Sequence, residues 1–204
     1  MISVVDYGVA NLGSMLNMLR RLGAQAELAS TPEQIARAKK IILPGVGAFD
    51  HGMTALRERG LVEPLRKKAL EDKVPLLGVC LGMQMLGKGS EEGRLMGIGL
   101  LDASCRRFHF PPGARERVPH MGWSRLTKRS QESRLLAGLD EQARFYFVHS
   151  YHLVCEDAST VLAYAEYGIE FVAMVQSGNI CGAQFHPEKS HRFGMALLRN
   201  FSEM

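Results

Sequence analysis

VPLLGVCLGMQ, Val74 to Gln84, is the stretch around which the chain is read. Pro75 opens an apolar run, Leu76 to Val79, with the length and composition of a buried strand. Gly78 and Gly82 bracket one cysteine, and a helical pattern follows. This order predicts strand, sharp turn and helix, with Cys80 on the turn. A tight turn needs positions without a Cβ, and the start of a helix lies in positive potential. Both favour an exposed thiolate, since a thiol of pKa about 8.5 is acidified by a helix N-terminus and a nearby imidazolium. A cysteine serving only as a small buried hydrophobe has no need of such an elbow.

Toward the N-terminus the same alternation recurs. Ile2 to Val5 reads as a buried strand. Asn11 reads as the N-cap of a helix carrying Leu12, Met15, Leu16, Leu19 and Leu22 on one face, and Gly23 closes it. Thr31 and Pro32 start a second helix, expected to end near Lys39 before a strand at Ile41 to Leu43. The loop PGVGAF, Pro44 to Phe49, places two glycines where that strand stops, so its amides can approach a ligand. Leu56, Leu61, Leu65, Ala69 and Leu70 then have amphipathic helical spacing and complete a crossover to the Cys80 strand. Alternating strands and helices imply a mostly parallel sheet, with ligands bound beyond the strand C-termini.

Beyond Gly97 short strands and turns replace the alternation. A basic stretch holds Arg106, Arg107, Arg115, Arg117, Arg125, Lys128 and Arg129, with the only tryptophan, Trp123, among them. A solvated face accounts for such a run, and an interaction surface is its rival. Strands are expected at Phe145 to Val148, Val161 to Tyr167, Phe171 to Val175 and Ile180 to Phe185, and a last helix at Phe193 to Phe201.

The 204 residues, 46% hydrophobic, suit one α/β domain spanning 1–204. Lys and Arg exceed Asp and Glu by four, too small and dispersed an excess to imply nucleic-acid binding. Asp6 interrupts the first apolar run, so neither a leader nor a membrane span is expected, and the location is expected to be cytoplasmic. Cys80, Cys105, Cys155 and Cys181 lie far apart without metal-ligand spacing, so no metal and no cofactor are expected. Gly82 to Lys88 matches the spacing of a phosphate-binding loop, but Gly89 stands where a hydroxyl is required and the intervening MQML belongs to an apolar helix.

QFHPEKS, Gln184 to Ser190, supplies the second chemical element. Pro187 holds the backbone extended, and in an extended segment residues two apart point the same way. Glu188 is therefore expected to orient His186 while His186 takes a proton from Cys80 and returns it to a leaving amine. A tetrahedral intermediate needs amide donors; the Leu81 amide and one from Val46 or Gly47 are the candidates.

DYGVAN, LPGVGAF, GVCLGMQ, PHMGW, YFVHSY and QFHPEKS together resemble class I glutamine amidotransferases along almost the whole chain. PHMGW and YFVHSY narrow the resemblance to the glutaminase subunits of imidazole glycerol phosphate synthase. It implies a flavodoxin-like α/β fold, a mostly parallel sheet flanked by helices with additional antiparallel strands. It implies that Cys80, His186 and Glu188 hydrolyse glutamine through a thioester, that Gln84, Ser150 and Tyr151 bind the substrate, and that Asn11 and Trp123 face a partner. That partner is a (β/α)8 cyclase subunit, forming a heterodimer and receiving the ammonia, and the PGVG loop is the element that moves. Ser124, where relatives often carry Asn, and Gly13, where Arg is usual, depart from the pattern near the expected partner. Two other readings share the chemistry: a paralogue feeding a surface-sugar amidotransferase, and a stand-alone γ-glutamyl hydrolase.

Overall fold

Apolar runs without alternation need cover on both faces, and the fold provides it with helices on either side of a sheet. The computed structural model describes residues 1–128 and 133–204; Arg129 of the basic stretch lies outside the described residues. The N-terminal half runs β1 (Ile2–Val5), α1 (Leu12–Arg21), β2 (Ala26–Ala29), α2 (Pro32–Arg37), β3 (Ile41–Gly45), α3 (Phe49–Glu58), α4 (Val62–Leu70), β4 (Leu76–Cys80) and α5 (Leu81–Met85). The remainder holds β5 (Ala103–Arg107), β6 (His120–Arg125), β7 (Thr127–Lys128), β8 (Arg144–His149), β9 (Tyr151–Cys155), β10 (Val161–Tyr167), β11 (Ile169–Ser177), β12 (Ile180–Ala183) and α6 (His191–Glu203).

The parallel strands are ordered β2-β1-β3-β4-β12, the flavodoxin order. β11, β10 and β7 extend this sheet antiparallel beyond β12, β9 pairs with β11 and β5 with β9. A separate ribbon joins β6 and β8. β1, β3, β4 and β12 are buried along their full lengths, so the strand ends that carry Gly45 and Cys80 are fixed from both faces.

Several local expectations are corrected. β2, AELA, has two exposed residues at the sheet edge and therefore carries no apolar run to announce it. The helical spacing from Leu56 to Leu70 is divided between α3 and α4, because the chain turns at Gly60, whose φ is +66°. α2 stops at Arg37, where Ala38 becomes extended. Its start is as expected: the Thr31 hydroxyl accepts from the Gln34 amide at 3.4 Å, and Gln34 Oε1 accepts from the Thr31 amide at 3.2 Å. Asn11 precedes α1 but makes no side-chain capping bond.

Candidate active site

Cys80 ends β4 with φ +53° and ψ −112°, a conformation an L-residue adopts only when its surroundings impose it, at about 1–3 kcal/mol. The surroundings are two helix–strand contacts without room for side chains. A Cβ on Gly82 would overlap the Leu43 carbonyl oxygen, and one on Gly78 would lie 2.7 Å from the Met83 Cα. The glycines thus let α5 lie directly on β3 and β4 and force the turn at Cys80. α5 itself is only five residues long, shorter than the apolar pattern suggested.

His186 follows β12, the strand next to β4. The segment after it is not extended, as the proline had suggested: Pro187–Lys189 forms a 3₁₀ turn. The Ser190 hydroxyl stitches this turn, donating to the His186 carbonyl at 2.6 Å and accepting the Tyr146 amide at 3.0 Å. The pairing itself is as expected, with Glu188 Oε1 2.8 Å from His186 Nδ1. His186 Nε2 is buried and, among the described residues, has no hydrogen-bond partner. Burial works to lower the imidazole pKa, but the Cys80 sulfur and the Glu188 carboxylate outweigh it and push the value up to about 10.

Cys80 and His186 line one cavity of about 550 Å³, together with Val46, Gly47, Leu81, Gln84, Ser150 and Tyr151. All the substrate and oxyanion candidates therefore converge there. Two are turned differently from expectation. The Val46 amide donates to the Val9 carbonyl at 3.2 Å, in a loop where Val46 and Gly47 are exposed and Gly47 has φ +93°. Gln84 is buried, and its Nε2 donates to the Tyr151 carbonyl at 2.9 Å and to Gln184 Oε1 at 3.1 Å.

The second of those bonds exposes a residue that the sequence reading left without a role. Gln184 is fully buried and directs its Nε2 at Cys80 Sγ, 3.8 Å away. Accepting from Gln84 through Oε1 orients the Gln184 amide so that its donor faces the sulfur. Glu92, also unassigned from sequence, lines the cavity and accepts the Phe49 amide at 2.8 Å, tying the loop before β5 to the start of α3. Asp50 reinforces that tie by accepting the Leu95 amide at 3.0 Å. Neither Glu92 nor Gln184 has a local sequence signal, because each acquires its place through residues at least 43 positions away.

Asn11 and Trp123 lie outside the cavity, and both are exposed. Trp123, 43% accessible, stacks on His191 with parallel rings 5.5 Å apart. It borders a surface hollow with Arg125, Arg144 and Arg192. Arg106, Arg107, Arg115, Arg117 and Arg125 are likewise exposed. Among the described residues no helix is long and apolar enough to cross a membrane, and no group of three His, Cys, Asp or Glu could hold a metal ion.

The family model described as glutamine amidotransferase class-I matches residues 3–204. The chain is 49% identical to a protein of Methanococcus maripaludis named imidazole glycerol phosphate synthase subunit HisH 2, over 98% of each chain. It is 50% identical to the protein of the same name from Pseudomonas aeruginosa, over the full length of both. Solved structures share the fold. The structure of PurLQS from Thermotoga maritima superposes with a TM-score of 0.75 at 20% identity, covering 98% of this chain and 96% of that one. The glutaminase domain of Trypanosoma brucei CTPS with bound acivicin gives 0.65 at 16% identity, covering 99% and 93%.

Proposed function

The chain belongs to the class I glutamine amidotransferases, and from this we propose that it is the glutaminase subunit of an imidazole glycerol phosphate synthase, with residues 1–204 acting as one domain. The observation that carries the chemistry is His186: one ring nitrogen is held by Glu188, and the other is unpartnered in the cavity that Cys80 shares.

In this reading the Cys80 thiolate attacks the side-chain amide carbon of glutamine. The carbonyl π electrons move to oxygen, and the tetrahedral intermediate collapses as His186 passes its Nε2 proton to the departing nitrogen. Ammonia leaves and a γ-glutamyl thioester remains. Water then gives a proton to His186 and attacks the thioester, releasing glutamate and restoring the thiolate–imidazolium pair. Glu188 holds the ring and stabilises its charged form throughout. Gln184 supplies a donor to the sulfur when it carries charge.

The Leu81 amide is one oxyanion donor. The Val46–Gly47 segment supplies the other after its peptide leaves Val9. Gln84 helps hold the substrate, and Ser150 and Tyr151 bind the amino-acid end of glutamine. The Ser150 and Tyr151 carbonyls are engaged inside the fold, by Phe108 and by Gln84 and His149, so that segment meets a ligand carboxylate through N–H and hydroxyl donors. Asn11 and Trp123 face the cyclase subunit, a (β/α)8 barrel in a cytoplasmic heterodimer. The barrel uses the ammonia to make imidazole glycerol phosphate and aminoimidazole carboxamide ribonucleotide. The reaction needs no cofactor in this subunit.

Cys80→Ala tests the reading. It is expected to lower glutamine hydrolysis by about 10⁴-fold or more, with unchanged unfolding and with loss of the glutamyl adduct seen by rapid-quench mass spectrometry in the parent chain. Hydrolysis retained by Cys80→Ala overturns the nucleophile assignment.

A further inference from the structure

Three polar side chains form a line that the mechanism does not use, running outward from His149 in the cavity lining. His120 and His149 are cross-strand partners in the β6–β8 ribbon, and Ser124 lies on the same face of β6, four residues from His120. The Tyr151 carbonyl lies 2.8 Å from His149 Nδ1, His149 Nε2 lies 3.4 Å from His120 Nδ1, and His120 Nε2 lies 3.2 Å from the Ser124 hydroxyl. Both histidines are buried.

The direction of every proton in this line follows from its end. A carbonyl only accepts, so His149 carries its hydrogen on Nδ1 and presents a lone pair at Nε2. His120 must then carry its hydrogen on Nδ1, leaving Nε2 to accept from Ser124. This holds only while both rings are neutral, and burial pushes their pKa values down, to about 4 for His120 and about 3 for His149. The rings are also locked by packing: His120 stacks on Tyr167 at 4.1 Å and on Phe147 at 5.1 Å, and His149 packs against Phe108 and Phe171, each at 5.2 Å.

We propose that Ser124, His120 and His149 are positioning residues that hold the Tyr151 carbonyl, and with it the wall of the cavity, from the β6–β8 ribbon. This rests on the cavity's binding glutamine. The carbonyl is a junction, because Gln84 donates to it as well as to Gln184, which in turn faces the Cys80 sulfur. If His149 rotates or changes tautomer, Tyr151 loses one of its two donors, and Gln84 is no longer held against a fixed acceptor. The outer face of the same strand carries Met121 and Trp123, 62% and 43% accessible, so the ribbon joins an exposed surface to the substrate wall.

The test begins on the unmutated chain. Long-range imidazole ¹H–¹⁵N spectra are expected to show both His120 and His149 as neutral Nδ1–H tautomers near neutral pH; an Nε2–H tautomer at either ring overturns the proposal, whether or not the chain hydrolyses glutamine. His120→Phe keeps the stacking but removes the donor. It is expected to shift the His149 signals and raise KM for glutamine roughly fivefold to tenfold, the loss of about one hydrogen bond, with kcat little changed. His120→Asn, whose amide nitrogen replaces Nδ1–H, is expected to return KM to within about twofold of the parent. An unchanged KM in His120→Phe, or no recovery in His120→Asn, contradicts the proposed role.

Discussion

The nucleophile side of the cavity and the loop facing it are built to different standards. Cys80 ends a buried strand, Gln184 directly follows another, and His186 and Glu188 lie at a stitched turn, each fixed by hydrogen bonds or by glycine contacts without slack. Val46 and Gly47 are exposed, and the Val46 amide is turned to the Val9 carbonyl. In the proposed mechanism, the groups that attack and move protons are in place, whereas one donor for the negative oxygen is not. A ligand or partner that favours the other orientation of this one peptide shifts the whole site toward turnover. It need not rebuild the triad.

The contrast is broken most severely on its rigid side. Glu188→Gln preserves shape but removes the charge beside His186, and it is expected to lower kcat by roughly 10²-fold to 10⁴-fold, read by steady-state glutamine hydrolysis. A loss within about threefold would show that His186 is held some other way. The same variant has a pH signature. The folded pKa of His186 lies above its unfolded value of about 6.5, so its stabilising contribution is complete below that pH and declines as the pH rises toward about 10. Removing Glu188 lowers the upper limit, and urea midpoints measured between those pH values should fall less steeply in the variant.

On the side of the exposed loop, Val46→Pro deletes the amide that Val9 holds. In the presence of the partner subunit it is expected to cost about 10²-fold in kcat, the usual scale for one oxyanion donor. It should leave Kd for glutamine nearly unchanged, measured calorimetrically on the Cys80→Ala background. Full activity would assign the donor to another peptide. Gln84→Ala acts between the two sides and has the smallest effect. It is expected to raise KM for glutamine about tenfold through loss of the Tyr151 and Gln184 contacts, with kcat changed less; an unchanged KM rejects its place in the substrate wall.

How much of this was legible in the sequence depended on how local each cause is. The elbow was readable because Gly78, Cys80 and Gly82 fall within five residues, although the Leu43 carbonyl for which Gly82 makes room comes from another strand, β3. His186 and Glu188 were paired correctly by spacing, although the backbone between them is a 3₁₀ turn and not an extended segment. Gln184 and Glu92 escaped notice because their partners come from β4 and α3, and the polarity of an amide cannot be read before its neighbours are known. β2 was missed for a related reason: an edge strand with two exposed positions has little apolar pattern of its own. Trp123, a residue type more often found in a core than at an interface, is exposed here because β6 sets the side of the ribbon it occupies.

The most direct test of the unequal cavity is the glutamine hydrolysis rate at saturating glutamine, measured for the isolated chain and again with a histidine-pathway cyclase subunit and its nucleotide ligand. A slow basal rate and a rise of about 10²-fold or more, mainly in kcat, is the result expected if one missing donor is what the partner supplies. A fast rate for the isolated chain, or no rise with partner and ligand, would contradict the account.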